Sequence, residues 1–382
     1  MIKDTLYYKN NYLTEFTTKV VDCIELNGKI KVVLENTAFY PEGGGQPSDI
    51  GIINGIKVSH VEEKGDVIYH IVDSKLEIGQ IVECQIDFEY KFSNMQNHTA
   101  EHIVSGLICK NYNATNVGFH MGKDAVTMDF NVLLKEEDIR KIELLANQAV
   151  YENIEVKSNI YTKEEADKIN YRSKKEISED IRIVEIPGYD ICTCCGVHVT
   201  RTGEIGIIKI LYAEKYKTGC RVYMLAGKRA LDNYTENFKI VDDLGALLSL
   251  KPYEVYNGVV SLKYEIENLK KEKNKFKNEV FENKIKSLEM QDNIILFEEN
   301  LDSNDMKNMC EKIKDKTNKI AAIFCNNNNV YKFIIMSDVI DLKELSNRFR
   351  NELNAKCGGN SVLVQGQVES SKENILKMFK NI

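Results

Sequence analysis

The sequence predicts an α+β chain in four parts: a small β-barrel-like domain over residues 1–90, an α+β domain over 91–228, a helical hairpin or short coiled coil over 229–292, and a C-terminal α/β domain over 293–382. Three observations predict it. Short runs of alternating apolar and polar residues fill the first part, with Asn-Gly turns at Asn27-Gly28 and Asn54-Gly55, the pattern of β-hairpins. The period then becomes helical near Ser93. Beyond Tyr223 it stays helical to about Leu288, after which strand-like runs return.

Composition narrows the classes. A chain of 382 residues suggests two or three domains, and 43% hydrophobic residues suffice for a buried core. No apolar run approaches the ~20 residues that span a bilayer, so no membrane association is expected. The start, M-I-K-D-T-L-Y-Y-K-N, lacks the apolar core of a signal peptide, so a cytoplasmic protein is expected. Its ten cysteines are then read as reduced thiols and metal ligands rather than disulfides. The net charge of −7 argues against general nucleic-acid attraction. Residues 293–382 are closer to balance, with 13 Lys+Arg against 12 Asp+Glu, so RNA recognition would rest on local patches.

The elements follow in order. T-K-V-V-D-C-I-E-L and K-I-K-V-V-L are strands, and further strands are expected near 56–60, 66–72 and 80–87. Between them lies T-A-F-Y-P-E-G-G-G-Q-P-S-D-I-G, Thr37 to Gly51. Three glycines between two prolines exclude a helix or a central strand. The stretch is a surface loop, or one in which Gly43, Gly44 and Gly45 let the backbone approach a ligand. A helix follows, with Ser93 or Asn94 as its cap and Met95, Ile103, Val104, Leu107 and Ile108 as its apolar stripe. Beside the stripe stand His98 and His102, four residues apart on one helix face.

V-G-F-H-M-G-K-D-A-V-T-M-D-F reads as a hairpin. Its His120 either faces the histidine cavity or is a partly exposed strand residue. An amphipathic helix over 135–152, a strand near 154–161 and a helix from Thr162 come next. C-T-C-C-G-V-H then repeats the four-residue spacing with Cys194 and His198. The chain has six histidines, and three of them fall in these two motifs. A thiolate with imidazoles suits zinc. Cysteines packed in a core are one alternative, and a Cys192-x-x-Cys195 redox pair or zinc ribbon another; a ribbon needs a second C-x-x-C, which the chain lacks. The expected ligands of Zn(2+) are His98, His102, Cys194 and His198.

Together these motifs resemble the editing domain of alanyl-tRNA synthetase and, more closely, its free-standing AlaX relatives. V-G-F-H-M-G-K, R-I-V-E-I-P-G-Y-D and G-C-R-V-Y-M-L-A-G-K-R-A extend the resemblance over roughly residues 5–230. The threonyl-tRNA synthetase editing domain shares the two metal-like motifs but not the Gly-rich loop. The resemblance implies a zinc-dependent hydrolase that deacylates tRNA(Ala) mischarged with serine or glycine. It implies that Thr37 reads the serine hydroxyl, with His120 as a second catalytic candidate, and that Gly43, Gly44, Gly45 and Gln46 shape the substrate pocket.

Two positions depart from the synthetase's C-G-G-T-H: Cys195 stands where it has glycine, and Val197 where it has threonine. The first leaves open which sulfur binds, and the second removes a hydroxyl. Four protein ligands describe a closed site, whereas a catalytic zinc keeps a position open. A labile ligand, expansion to five-coordination, or an anchoring role for the metal are the alternatives. A non-catalytic zinc-containing tRNA-binding protein, or an editor of another aminoacyl-tRNA, are the competing functions.

The last third is helical, then α/β. Lys228 to Leu250 forms one helix, and Pro252 starts the next. Val259, Leu262, Ile266, Leu269, Phe276 and Val280 follow 3- and 4-residue steps, and the phase then shifts to Phe281, Ile285 and Leu288. Such a short heptad run is an intramolecular hairpin or the seam of a homodimer, which the C-terminal region is also a candidate to form. I-I-L-F, K-I-A-A-I-F-C and Y-K-F-I-I-M-S are strands, and D-L-K-E-L-S-N-R-F-R-N-E-L is a helix. This part resembles the C-terminal domain of alanyl-tRNA synthetase through Gly358-Gly359 and Gln365-Gly366. The resemblance implies a tRNA contact. Arg348, Arg350 and Lys356, beside Gly358 and Gly359, are the phosphate candidates, with a solvated helix face as the alternative. No class II aminoacylation core precedes the β-domain, so the chain is not expected to charge tRNA.

Overall fold

The computed structural model describes residues 5–173, 181–327 and 330–380. The chain divides into two compact units, residues 1–246 and 247–382.

The first unit opens with a short helix, α1 (Leu6–Lys9), ahead of the first strand. Tyr7 explains it: the ring is buried and meets Tyr40 edge-on, with centroids 5.6 Å apart. Six strands then close a barrel: β1 (Glu15–Leu26), β2 (Lys29–Leu34), β3 (Gly51–Ile53), β4 (Ile56–Lys64), β5 (Val67–Val72) and β6 (Ile81–Ile86). Their order round the barrel is β1-β2-β5-β4-β3-β6, with every pair antiparallel. Both Asn-Gly turns have positive φ at both residues (54° and 73°, 49° and 78°), the mirror-image turn that matches strand twist. Val20, Val32, Phe39, Ile53 and Val58 fill the interior.

α2 (Phe88–Tyr112) is the central element of this unit, and nearly every residue from Asn94 to Ile108 is buried. It starts nearly two turns earlier than the sequence suggests. Asp87, at the exit of β6, accepts a hydrogen bond from the Tyr90 amide at 3.0 Å and is the cap; Ser93 and Asn94 lie inside the helix. Around α2 stand β7 (Asn116–Met121), β8 (Val126–Phe130), α3 (Glu136–Glu152), β9 (Lys157–Tyr161), α4 (Lys163–Ala166), β10 (Ile181–Ile186), β11 (Asp190–Thr193), β12 (Ile208–Tyr216), β13 (Gly219–Ala226) and α5 (Lys228–Leu248). They form a sheet of order β12-β13-β8-β7 and a smaller one of order β11-β10-β9. Ile103, Val104 and Ile108 of α2 share one core with Met128, Ile142 and Val222.

The second unit contains α6 (Val255–Lys286), β14 (Gln291–Glu299), α7 (Ser303–Lys314), β15 (Thr317–Asn327), β16 (Val330–Met336), α8 (Leu342–Leu353), β17 (Lys356–Gly359), β18 (Leu363–Val368) and α9 (Lys372–Lys377). Its five-stranded sheet runs β14-β15-β16-β18-β17, parallel only between β14 and β15. The heptad stripe of α6, from Val259 to Val280, is exposed. The phase shift marks where the helix begins to pack: Phe281 and Ile285 are buried with Met306 and Cys310 of α7.

Candidate metal centre

The i, i+4 spacing on α2 brings His98 and His102 to one point, with ring centroids 5.4 Å apart. β10 and β11 deliver the second pair. Cys194 follows β11 in a loop whose carbonyls at Cys194 and Gly196 both accept from Arg182 Nη1 at 2.8 Å. The Tyr8 hydroxyl donates to the Cys195 carbonyl at 2.6 Å. So held, the loop turns Cys194 inward and leaves Cys195 exposed. His98 Nε2 and His198 Nε2 each lie 3.4 Å from Cys194 Sγ. One ligand atom from each of His98, His102, Cys194 and His198 lies within 4.8 Å of the others. A tetrahedral zinc with ordinary bond lengths has S···N edges of about 3.5 Å. The residues present therefore fit zinc, with Cys194 as the sulfur.

Each imidazole has its Nδ1 occupied by a different partner, which leaves Nε2 for the centre. His102 Nδ1 donates to Asp190 Oδ2 at 2.9 Å, and Arg172 grips the same carboxylate with bonds of 2.7 and 2.8 Å. His198 Nδ1 donates to Thr99 Oγ1 at 3.3 Å, whose own proton goes to the Met95 carbonyl. His98 Nδ1 donates to Gln46 Oε1 at 2.7 Å. The Val197 amide donates to that same oxygen at 3.2 Å, which fixes the amide's orientation. Gln46 is fully buried, and its Nε2 has no partner.

The electrostatics favour ligation. Burial pushes the Cys194 thiol up, but the three surrounding imidazoles outweigh it and hold the thiol well below its ordinary range. The Gly196 amide also donates to its sulfur at 3.2 Å. Burial pushes His198 down to about 3, assisted by His98, so it is neutral. Burial lowers His102 too, but the Cys194 thiolate and Asp190 overcome it and raise this imidazole.

The Gly-rich loop serves the centre through its backbone. Gly43 and Gln46 exchange two backbone hydrogen bonds across Gly44 and Gly45, whose φ values are 60° and 86°. A Cβ on Gly45 would meet the Phe119 ring at 2.6 Å. Phe119 in turn stacks on His98, centroids 5.1 Å apart. Behind the loop, Asp49 accepts from the Tyr40 amide and from the buried ammonium of Lys91 at 2.6 Å, and Lys91 lies two helix turns before His98. These glycines let a tight turn sit on β7 and aim Gln46, and Gly44 faces open space.

Two further expected site residues, Thr37 and His120, have these surroundings. Thr37 is buried beside the barrel interior. Its hydroxyl meets His70 Nε2 at 2.9 Å and accepts from the Phe39 amide at 3.1 Å, so the hydroxyl expected to read serine already has two partners. His120 is exposed on β7, because strand alternation sends Phe119 to the centre instead. Asp190, Arg172, Thr99, Lys91 and Gly196 were not singled out in the sequence. In the second unit, α8 and β17 bring Arg350 to the Cys357 carbonyl, Arg348 pairs with Glu352, and Lys356, Gly358 and Gly359 are exposed.

Comparison with known proteins places both family matches in the first unit. Residues 3–90 match the family model for class II (A) tRNA synthetases, and residues 181–223 match the threonyl and alanyl tRNA synthetase second additional domain. The alanyl-tRNA editing protein AlaX-L of Pyrococcus horikoshii is 31% identical over 97% of this chain and 96% of its own length. The chain belongs to the AlaX family of alanyl-tRNA editing proteins. Alanine–tRNA ligases are similar over part of their length: that of Ignicoccus hospitalis is 32% identical, covering 70% of this chain and 30% of the ligase. That of Thermofilum pendens is 30% identical, covering 96% of this chain and 42% of the ligase. The AlaX chain thus spans less than half of these ligases.

Proposed function

We propose that the chain is a trans-acting editing hydrolase that deacylates tRNA(Ala) mischarged with serine, and also with glycine. The observation that carries this reading is the convergence of three imidazoles on the Cys194 thiolate, in a chain that matches AlaX-L over nearly its whole length. In this reading His98, His102, Cys194 and His198 hold Zn(2+). When bound, the ion supplies a Lewis acid or an anchoring point for the substrate. Four protein ligands favour the anchor.

The chain's own residues supply the rest. An aminoacyl ester is already activated, so positioning and charge stabilisation suffice. The unpartnered Nε2 of Gln46 is a donor for a substrate oxygen or an ordered water beside the centre. Thr37 acts through the fold, holding His70 and Phe39 at the root of the Gly-rich loop. Arg348, Arg350 and Lys356 are proposed to meet tRNA phosphates. The exposed stripe of α6 supports a second copy of this chain as its partner.

Deacylation of tRNA(Ala) charged separately with serine, glycine, alanine and threonine tests the reading. Ser-tRNA(Ala) should be hydrolysed about 100-fold or more faster than Ala-tRNA(Ala), by hydrogen-bonding of the serine hydroxyl in the site; glycine lacks that hydroxyl and needs a separate sieve. Cys194→Ala should abolish the activity. A zinc-loaded wild-type protein that binds tRNA and hydrolyses none of the four would be a tRNA-binding protein instead.

A further inference from the structure

The sheet β12-β13-β8-β7 has one face against α2; the other carries an ordered set of rings that the metal centre does not use. Tyr212 pairs with Tyr223, Tyr223 with Thr127, and Thr127 with His120. Paired residues on adjacent strands share a face, so these four form one row across all four strands. The next row is Glu214, Arg221, Asp129 and Gly118. Tyr212 stacks on Tyr223 with centroids 4.4 Å apart and planes 25° from parallel, yet it is 51% exposed. Arg221 lies 3.9 Å over the Tyr216 ring and is fixed by bonds of 2.6 and 2.8 Å to Asp129. The Tyr223 hydroxyl donates to Glu214 at 2.6 Å. At the hairpin end Lys217 is exposed, its ammonium 5.1 Å from the Tyr216 ring.

These features fit one kind of partner. Rings held in place on an antiparallel sheet, with a guanidinium plane among them, are a surface on which unstacked bases stack. The lysine at the rim matches a phosphate. The two carboxylates of the face are answered by Arg221 and Tyr223, so they do not repel a polyanion outright. A protein partner is disfavoured, because ionised side chains occupy the middle of the face, where the core of a protein interface excludes them. Paired RNA is disfavoured because it exposes no base faces. The sheet also connects the two regions: β7 presents Phe119 to His98 on one side and His120 to this row on the other.

We propose that this face binds unpaired nucleotides near the aminoacylated end of the RNA substrate, with Tyr212 as the stacking ring and Lys217 at a phosphate. The proposal rests on the reading that the substrate is a tRNA. The chain has no tryptophan, so Tyr212→Trp in the full-length protein creates a lone indole at the stacking position. A short single-stranded RNA ending in C-C-A should quench its emission saturably. Tyr212→Ala should weaken binding of that RNA by about ten-fold or more, whereas Tyr212→Phe, which keeps the ring, should stay within about two-fold. Zinc content and thermal midpoint check that the variants are folded. Unchanged indole emission at saturating RNA, or wild-type affinity in Tyr212→Ala, overturns the proposal. If Ser-tRNA(Ala) is still deacylated in that case, the editing reading stands without the platform. If the wild-type protein binds neither tRNA nor the short RNA, both fall.

Discussion

In the barrel and in the cleft beside α2, histidines are equally buried and are used differently. His70 donates through Nδ1 to the Val32 carbonyl at 3.1 Å, and its Nε2 meets the Thr37 hydroxyl. His98, His102 and His198 likewise have Nδ1 occupied, but their Nε2 atoms turn to a thiolate. Burial and a satisfied Nδ1 are therefore common to a structural histidine and to the histidines of the candidate metal centre. The atom facing Nε2 tells them apart. The contrast extends to charge: burial alone pushes His70 down to about 4, whereas at the centre Cys194 and the imidazoles set one another's protonation.

The sharpest way to break the contrast is to push a ligand out of place. A Cβ on Gly196 would run into the His98 ring and come within 2.8 Å of Gln46 Oε1. Gly196→Ala should lose bound zinc and about 100-fold in deacylation, read by metal analysis and initial rates; retained zinc with full activity would show that His98 is not held as described. A smaller effect is expected one layer out. Asp190→Asn keeps the shape but weakens the acceptor that orients His102. Zinc affinity should fall about 10- to 100-fold in a chelator competition, and an unchanged affinity would remove Asp190 from the centre.

Much of this was legible before the fold was known, where the cause is local. Asn27-Gly28 and Asn54-Gly55 announce their turns because the strain they relieve is their own. His98 and His102, like Cys194 and His198, announce a pair because four residues span one point. The phase shift at Phe281 was readable because it follows from what α6 packs on. The orienting partners were not. Gln46 and Asp190 reach His98 and His102 from 52 and 88 residues away, and no spacing records that contact. Gln46 was legible only as part of a Gly-rich motif. The outward turn of His120 did have a signal: Phe119 and Met121 flank it, and strand alternation then sends it out. Ser93 and Asn94 misled as caps because Asp87, nearer the end of β6, reaches the exposed amide first.

The barrel side of the comparison makes a pH prediction. With its folded value near 4 and an unfolded value of about 6.5, His70 takes up its proton more readily in the unfolded chain. Its contribution is fully present above about pH 6.5 and is lost as pH falls toward 4, at up to about 1.4 kcal/mol per pH unit. Denaturant unfolding of wild type and His70→Gln across that window should show the variant with the flatter profile; parallel profiles would mean His70 is not held neutral. The smallest effect is expected in the second unit. Arg348→Ala combined with Arg350→Ala should weaken tRNA binding modestly and reduce its salt slope by about 1 to 2, and equal slopes would take these arginines off the phosphates.

The central claim is that three imidazoles and the single sulfur of Cys194 hold the metal. X-ray absorption at the zinc edge of the purified protein tests it most directly. One sulfur at about 2.3 Å and three nitrogens at about 2.0–2.1 Å are expected, with the sulfur signal lost in Cys194→Ala and kept in Cys195→Ala. Two sulfurs per zinc, or a sulfur signal that disappears with Cys195 instead, would contradict it.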